Sequence, residues 1–167
     1  RLVKPGFYRL RLLRKDPYSL LSRNIIGPPS VTLYRNFHNQ RYDNNIKWLV
    51  DIEFYIRELR GKDFFYISEP LINIGMSREQ VTVSCHRIPE VEIPEYYYFL
   101  KKNGTANLRN VWVYDAWWRL FRNFKIYNKA ALEPYVSAEW PDVILKMLDD
   151  LSHVKSSVTG SRLLSKY

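Results

Sequence analysis

The sequence predicts an α/β fold, and three observations carry that expectation. Val31-Thr32-Leu33-Tyr34 is a β-branched and aromatic run bounded by turn residues, Phe64-Phe65-Tyr66-Ile67 and Leu71-Ile72-Asn73-Ile74 are two more, and between and beyond them lie apolar stripes at helical spacing. The order is loop, strand, helix, strand, then mainly helices, without internal repeat or low-complexity segment.

Residues 1 to 23 mix basic and aliphatic side chains, which suggests a short helix ending near Asp16-Pro17 and a further helical turn from Tyr18 to Ser22. Asn24-Ile25-Ile26-Gly27-Pro28-Pro29-Ser30 is punctuated as a loop and leads into the first expected strand at Val31. A polar turn from Asn36 to Asn45 precedes a helix over about Val50 to Arg60, closed by Gly61. Glu69-Pro70 separates the second and third expected strands, since proline has no N–H to give a ladder. Ser77-Arg78-Glu79-Gln80 has the spacing of a capping box. Ile93 to Lys102 is expected to be helical, with Pro94 near its first turn and Gly104 past its end. Val113, Ala116, Trp117, Leu120, Phe121 and Phe124 form an apolar stripe with Arg119, Arg122 and Lys125 off it. Pro141 opens a last helix whose Val143, Ile144, Met147, Leu148 and Leu151 should be buried, before a Ser-rich basic tail from Lys155.

At 167 residues, 46% hydrophobic and 26% charged, the chain can bury a sizeable core and is not of disordered composition. Its 16% aromatic content serves either a large core or a surface that stacks on sugars or bases. One cysteine, Cys85, excludes an internal disulfide framework and favours a reducing compartment, and the chain lacks the Cys/His clusters of a structural zinc. No window reaches the ~20 apolar residues of a membrane span, and no signal peptide is recognisable. Of the net charge of +9, residues 1 to 23 contribute +6 through seven Lys/Arg against Asp16 alone, so the excess is local. Such a segment suits anionic lipid headgroups, a phosphorylated substrate or an acidic neighbouring domain better than a basic face spread over a nucleic-acid-binding fold. Pro5-Gly6 and Pro17 interrupt the helix a transit peptide would need. The start at Arg1, without Met, together with too few strands for a stable sheet, leads to the expectation of a piece of a longer protein.

The chemistry-bearing segment is Trp48-Leu49-Val50-Asp51-Ile52-Glu53-Phe54-Tyr55. Trp48, Ile52, Tyr55, Ile56 and Leu59 share one helical face, and Asp51 sits in the first turn, where it reads either as a helix cap or as a positioned base. Ser30 reads as a ligand for a sugar hydroxyl or as a serine bonding its own backbone. Trp48 could stack on an acceptor ring or fill the core. Cys85 and His86 are adjacent and would point apart on an extended chain, which disfavours a nucleophile pair. Trp112, Trp118, Arg119 and Arg122 are candidates for a basic aromatic surface.

Taken together, Asn24 to Arg35, Trp48 to Tyr55, and Phe65-Tyr66-Ile67-Ser68-Glu69-Pro70-Leu71-Ile72-Asn73-Ile74-Gly75 resemble, in order and spacing, the C-terminal half of family 2 glycosyltransferases. The resemblance spans about residues 18 to 82. It implies a partial GT-A-like, nucleotide-diphospho-sugar transferase α/β layer over residues 1–82, carrying the acceptor side, and a mainly helical extension over 83–167. It further implies that Asp51 is the catalytic base of an inverting transfer from a nucleotide sugar to a glycan acceptor in surface polysaccharide biosynthesis, because a sugar hydroxyl is a poor nucleophile until a carboxylate takes its proton. Ser30, Trp48, Glu53 and Gln80 are the implied acceptor or sugar contacts. The preceding acid of the family's Glu-Asp pair is Val50 here, which leaves Glu53 as the nearest second carboxylate.

A divalent metal, Mg²⁺ or Mn²⁺, is implied to stabilise the departing nucleoside diphosphate, but its ligands are not in this sequence: there is no Asp-x-Asp and no glycine-rich phosphate loop. Asp149-Asp150 lies in an amphipathic helix and reads as a solvated face. The chain by itself is therefore expected to be inactive. The implied acceptor is a lipid-linked glycan at the cytoplasmic face of the membrane, with the basic segment contributing to peripheral contact with anionic lipid. The rival reading is a non-catalytic basic module that binds RNA or forms part of a larger assembly.

Overall fold

A computed structural model of the chain describes residues 4–35, 41–75 and 85–154. Among these residues there are five α-helices: α1 (Phe7–Lys15), α2 (Val50–Leu59), α3 (Pro89–Asn103), α4 (Val111–Phe124) and α5 (Asp142–His153), with short 3-10 turns at Pro17–Leu21, Pro29–Val31, Thr105–Arg109 and Lys129–Ala131. There is no β-strand among the described residues, which overturns the α/β expectation and with it the GT-A-like layer.

The failure of the strands has a local and a non-local cause. Val31 is drawn into a 3-10 turn, its N–H donating to the Pro28 carbonyl at 3.1 Å, and the Thr32 N–H donates to the Pro29 carbonyl at 3.0 Å. The rest of the run is open to solvent, with Leu33 99% exposed, and so is the second expected strand, with Phe65 97% exposed. β-propensity measures how well a residue fits a pleated surface already flanked by neighbours. No described segment offers these runs a partner ladder, so the backbone stays extended, irregular and hydrated.

The chain divides into two compact units, Arg1–Glu95 and Tyr96–Tyr167, where the sequence reading placed the division after residue 82. In the first unit, α1 ends at Asp16, whose Oδ1 accepts from the Tyr18 N–H at 3.0 Å and so caps the following 3-10 turn, with Pro17 in its first position. That turn buries Tyr18, Leu20 and Leu21 and packs against both α1 and α2. Each such side chain contributes roughly 1.5–3 kcal/mol by leaving water. Arg60 lies over the Tyr18 ring, 4.9 Å from its centroid, and donates to its hydroxyl. α2 buries four consecutive residues, Glu53, Phe54, Tyr55 and Ile56, which lie most of the way round its axis, while the expected Ile52 and Leu59 are only partly covered. Phe54 is covered by aromatic neighbours, its ring stacking on Tyr42 at 4.2 Å and meeting Tyr34 at 5.3 Å.

α3 begins about one turn earlier than the sequence suggested. Pro89 takes the first helical position, where a missing N–H is harmless, the Ile88 carbonyl accepts from Val91 and Glu92, and the Glu92 carboxylate accepts from the Arg87 N–H at 2.7 Å. Pro94 therefore lies inside the helix, and Ile93 beside it is fully buried.

The second unit follows the periodicity closely. α4 buries Val113, Ala116, Trp117, Leu120 and Phe121 and packs on the preceding 3-10 turn and on α5, which buries Ile144, Met147, Leu148 and Leu151. Val143, expected inside, is 44% exposed at the outer edge of its helix. Trp117 is the hub: its ring meets Tyr96, Phe121 and Trp140 at 5.6, 5.3 and 5.8 Å. The Asn110 side chain accepts from the Trp112 N–H at 2.9 Å to start α4, and Lys125, at φ 56°, ends it in the left-handed region. Ser77–Gln80 and the tail from Lys155 lie outside the described residues.

Candidate functional site

The site centres on the start of α2 and is built entirely within the first unit. Helix starts leave backbone N–H groups without intrahelical partners. Leu49 holds the N-cap position and has no side-chain oxygen to offer. The amides leading into the helix are met instead by one carboxylate: Glu95 accepts from the Lys47 N–H at 2.7 Å through Oε1, and from the Trp48 and Leu49 N–H groups at 2.8 and 2.9 Å through Oε2. Glu95 is only 7% exposed, and this is a buried anion clamped by three donors.

Asp51 itself makes no capping bond. Its carboxylate makes no hydrogen bond or ion pair with the described residues and is half-buried, and burial raises its pKa above the ordinary aspartate value. Its surroundings are tyrosines. Tyr55 lies one turn on, on the same side of α2. Burial, and then the charge of Asp51, push the Tyr55 hydroxyl above its usual range, and burial with the neighbouring Tyr34 and Asp51 does the same to Tyr42. The Tyr55 hydroxyl donates to the Gly27 carbonyl at 3.1 Å and neighbours the Thr32 hydroxyl, which donates to the Pro29 carbonyl at 2.8 Å. Gly27, at φ 99°, makes the tight turn in a left-handed conformation that suits glycine. Asn24 fixes the same turn, its Oδ1 accepting from the Ile26 and Gly27 N–H groups at 3.0 and 2.9 Å.

Two pieces singled out by sequence, the Gly-Pro-Pro-Ser loop and the Asp51 helix, are thus tied together through Tyr55. Ser30 is exposed on the 3-10 turn of that loop. Trp48 is partly exposed, with its ring 5.2 Å from the His86 imidazole and its backbone N–H held by Glu95. Glu53 is 3% exposed, and its Oε1 accepts from Arg57 Nε at 3.2 Å. Two residues along a helix are about 200° apart around its axis, so Glu53 and Asp51 occupy opposing sides of α2. Gln80 lies outside the described residues. Tyr34, Tyr42 and Glu95 were not singled out from sequence. Tyr34 was read only as part of a strand and of the resembling segment, Tyr42 carried no motif, and Glu95 meets its partners 46 to 48 residues away.

Chemically, a half-buried carboxyl of raised pKa beside phenolic hydroxyls can take a proton from an alcohol, and the exposed Tyr34 ring can meet another ring by stacking. Elsewhere, Cys85 is buried, Trp117 is core, and Arg119 is engaged by Asp115 at 2.8 Å. Among the described residues, no three His, Cys, Asp or Glu side chains are grouped to hold a metal ion. No described helix is long and apolar enough to cross a membrane. No family model, no curated protein and no solved structure matches this chain.

Proposed function

We infer that this chain is the acceptor-side part of an inverting glycosyltransferase, with Asp51 as the base that takes the proton of an acceptor hydroxyl. The reading rests on the sequence resemblance rather than on the fold, and one observation supports it above the others. Asp51 stands in the first turn of a helix whose preceding amides are already served by Glu95. A carboxyl free of the cap, desolvated and flanked by tyrosines, has the basicity and surroundings that proton abstraction from a hydroxyl needs.

In the proposed step, the acceptor oxygen attacks the anomeric carbon as its proton passes to the Asp51 carboxylate, and the bond to the nucleoside diphosphate breaks on the opposite face. The exposed Tyr34 ring, beside Tyr42, offers the acceptor a surface to stack on, and Ser30 lies on the loop that Tyr55 anchors. A metal and a donor site would come from residues other than these, and this chain alone would not turn over. The proposed acceptor is a lipid-linked glycan of a surface polysaccharide, met at the inner face of the cytoplasmic membrane.

The test has two parts. Glycan fragments are titrated against the chain by saturation-transfer NMR: Asp51→Asn should retain binding and Tyr34→Ala should lose it. In a protein that joins these residues to a donor site, Asp51→Asn should abolish transfer while nucleotide-sugar binding persists. Transfer that survives Asp51→Asn removes the base assignment. Salt-sensitive RNA binding without any glycan binding would favour a nucleic-acid module instead.

A further inference from the structure

The first unit holds a second concave feature, away from Asp51. The residues leading into α1 and those leaving the 3-10 turn Pro17–Leu21 wall a cavity of about 80 Å³, lined by Lys4, Gly6 and Arg9 on one side and Arg23, Asn24 and Ile25 on the other. Arg9 reaches across it, Nη1 donating to the Ser22 Oγ at 3.4 Å, while that hydroxyl donates to the Ser19 carbonyl at 2.8 Å. The two walls are therefore linked, and the Asn24 turn makes the far wall a defined surface. No carboxylate lines the cavity, and none of Lys4, Arg9 and Arg23 has a carboxylate partner among the described residues.

Three like charges gathered around one concavity repel one another, and an anion between them reverses the sign of that interaction. A water-sized group needs on the order of 10–15 Å³ of such space, so the cavity has room for a tetrahedral anion but not for a nucleotide or a sugar chain. Two guanidinium groups with a nearby ammonium are the donors that suit phosphate oxygens, the guanidinium groups offering paired N–H bonds and the lysine a point charge.

We propose that the cleft formed by Lys4, Arg9 and Arg23 binds a phosphate group, supplied either by a lipid headgroup or by a soluble phosphate. Its lining holds three of the seven basic residues that give residues 1 to 23 their net charge of +6. It does not depend on the transfer reading, since Asp51 takes no part in it.

The experiment uses the whole chain. Inorganic phosphate is titrated at low ionic strength by calorimetry, and vesicles of phosphatidylcholine, with and without phosphatidylglycerol, are tested by co-sedimentation. The wild type should bind phosphate saturably in the millimolar range or tighter. Arg9→Gln/Arg23→Gln should weaken it at least about tenfold, with an unchanged far-ultraviolet circular dichroism spectrum. Lys125→Gln/Lys129→Gln removes the same charge from the second unit and should stay within about twofold of wild type. Should the arginine pair fail to fold, Lys4→Gln, at an exposed position, should still weaken binding several-fold. Sedimentation with phosphatidylglycerol that free phosphate competes away, and that the arginine variant loses, identifies a lipid headgroup. Phosphate binding without cleft-dependent sedimentation identifies a soluble phosphate. Absence of saturable phosphate binding, or equal losses in the cleft and control variants, overturns the proposal.

Discussion

Replacing Glu95 tests how the start of α2 is held. Its carboxylate accepts from three backbone N–H groups at 2.7, 2.8 and 2.9 Å, and the bond to Leu49 is fully buried while those to Lys47 and Trp48 are partly buried. A hydrogen bond to a charged group is worth about 1.5–3 kcal/mol, and a buried N–H left without an acceptor costs about 1–3 kcal/mol. In Glu95→Ala, water can reach the Lys47 and Trp48 amides and recover part of the loss. The Leu49 amide has no such recourse. The expected destabilisation is therefore about 3–4 kcal/mol, well below three full bonds and near the upper end for single substitutions. Glu95→Gln keeps the shape and one acceptor oxygen. If that oxygen faces Trp48 and Leu49, the new NH₂ group faces the Lys47 N–H, donor against donor, and the loss should be about half that of alanine. Urea unfolding followed by far-ultraviolet circular dichroism gives the magnitudes, and hydrogen exchange at residues 47–49 gives the location. An alanine variant within about 0.5 kcal/mol of wild type, with unchanged exchange at those amides, would refute the reasoning.

Asp51→Asn should stabilise the chain at neutral pH. Burial raises the folded-state pKa of Asp51 above the ordinary 3.8, so the stability tied to its protonated form is complete below that value and is lost as pH rises through the folded-state pKa. The gain from Asn should be under about 1 kcal/mol because the group is only half-buried, and it should vanish in acid; a destabilised variant at pH 7 would contradict this. Lys125→Gly should raise stability by about 0.5–1 kcal/mol, measured as a higher thermal midpoint, because φ is 56° at this helix end. Tyr55→Phe should cost about 1 kcal/mol and speed amide exchange around Gly27–Thr32, since its hydroxyl anchors that loop. Trp117→Ala should cost about 3–5 kcal/mol and remove most near-ultraviolet dichroism of the second unit, given three ring contacts around a 1% exposed side chain.

The helices were legible because their signals are local. The stripe from Val113 to Phe121 and the stops at Gly61 and Asp16-Pro17 correspond to α4, α2 and α1 within a residue or two. Where the local signal was ambiguous, neighbours decided. Pro94 marked a first turn in the sequence, yet Pro89 filled that role once Glu92 could receive the Arg87 amide. Asp51 and Tyr55 were visible as a pair one turn apart, whereas Tyr42 joined them only through its stacking on Phe54. Asp51, which the sequence offered as either a cap or a base, makes no capping bond. A glutamate 46 residues beyond Leu49 holds the three amides just ahead of the helix, and nothing in a local window could have indicated it.

By itself, the sequence determined where the helices run, that no disulfide framework holds the chain, and that most of its net positive charge lies before residue 24. A helix closes its hydrogen bonds within four residues, so its pattern is written into each short stretch. Tertiary structure alone decided that the β-prone runs at Val31–Tyr34 and Phe64–Ile74 stay unpaired, that Glu95 holds the start of α2, and that Asp51 is left half-buried among tyrosines. Strand pairing and the clamping of a buried carboxylate both depend on partners distant in the chain, and such partners are known only once the chain has folded.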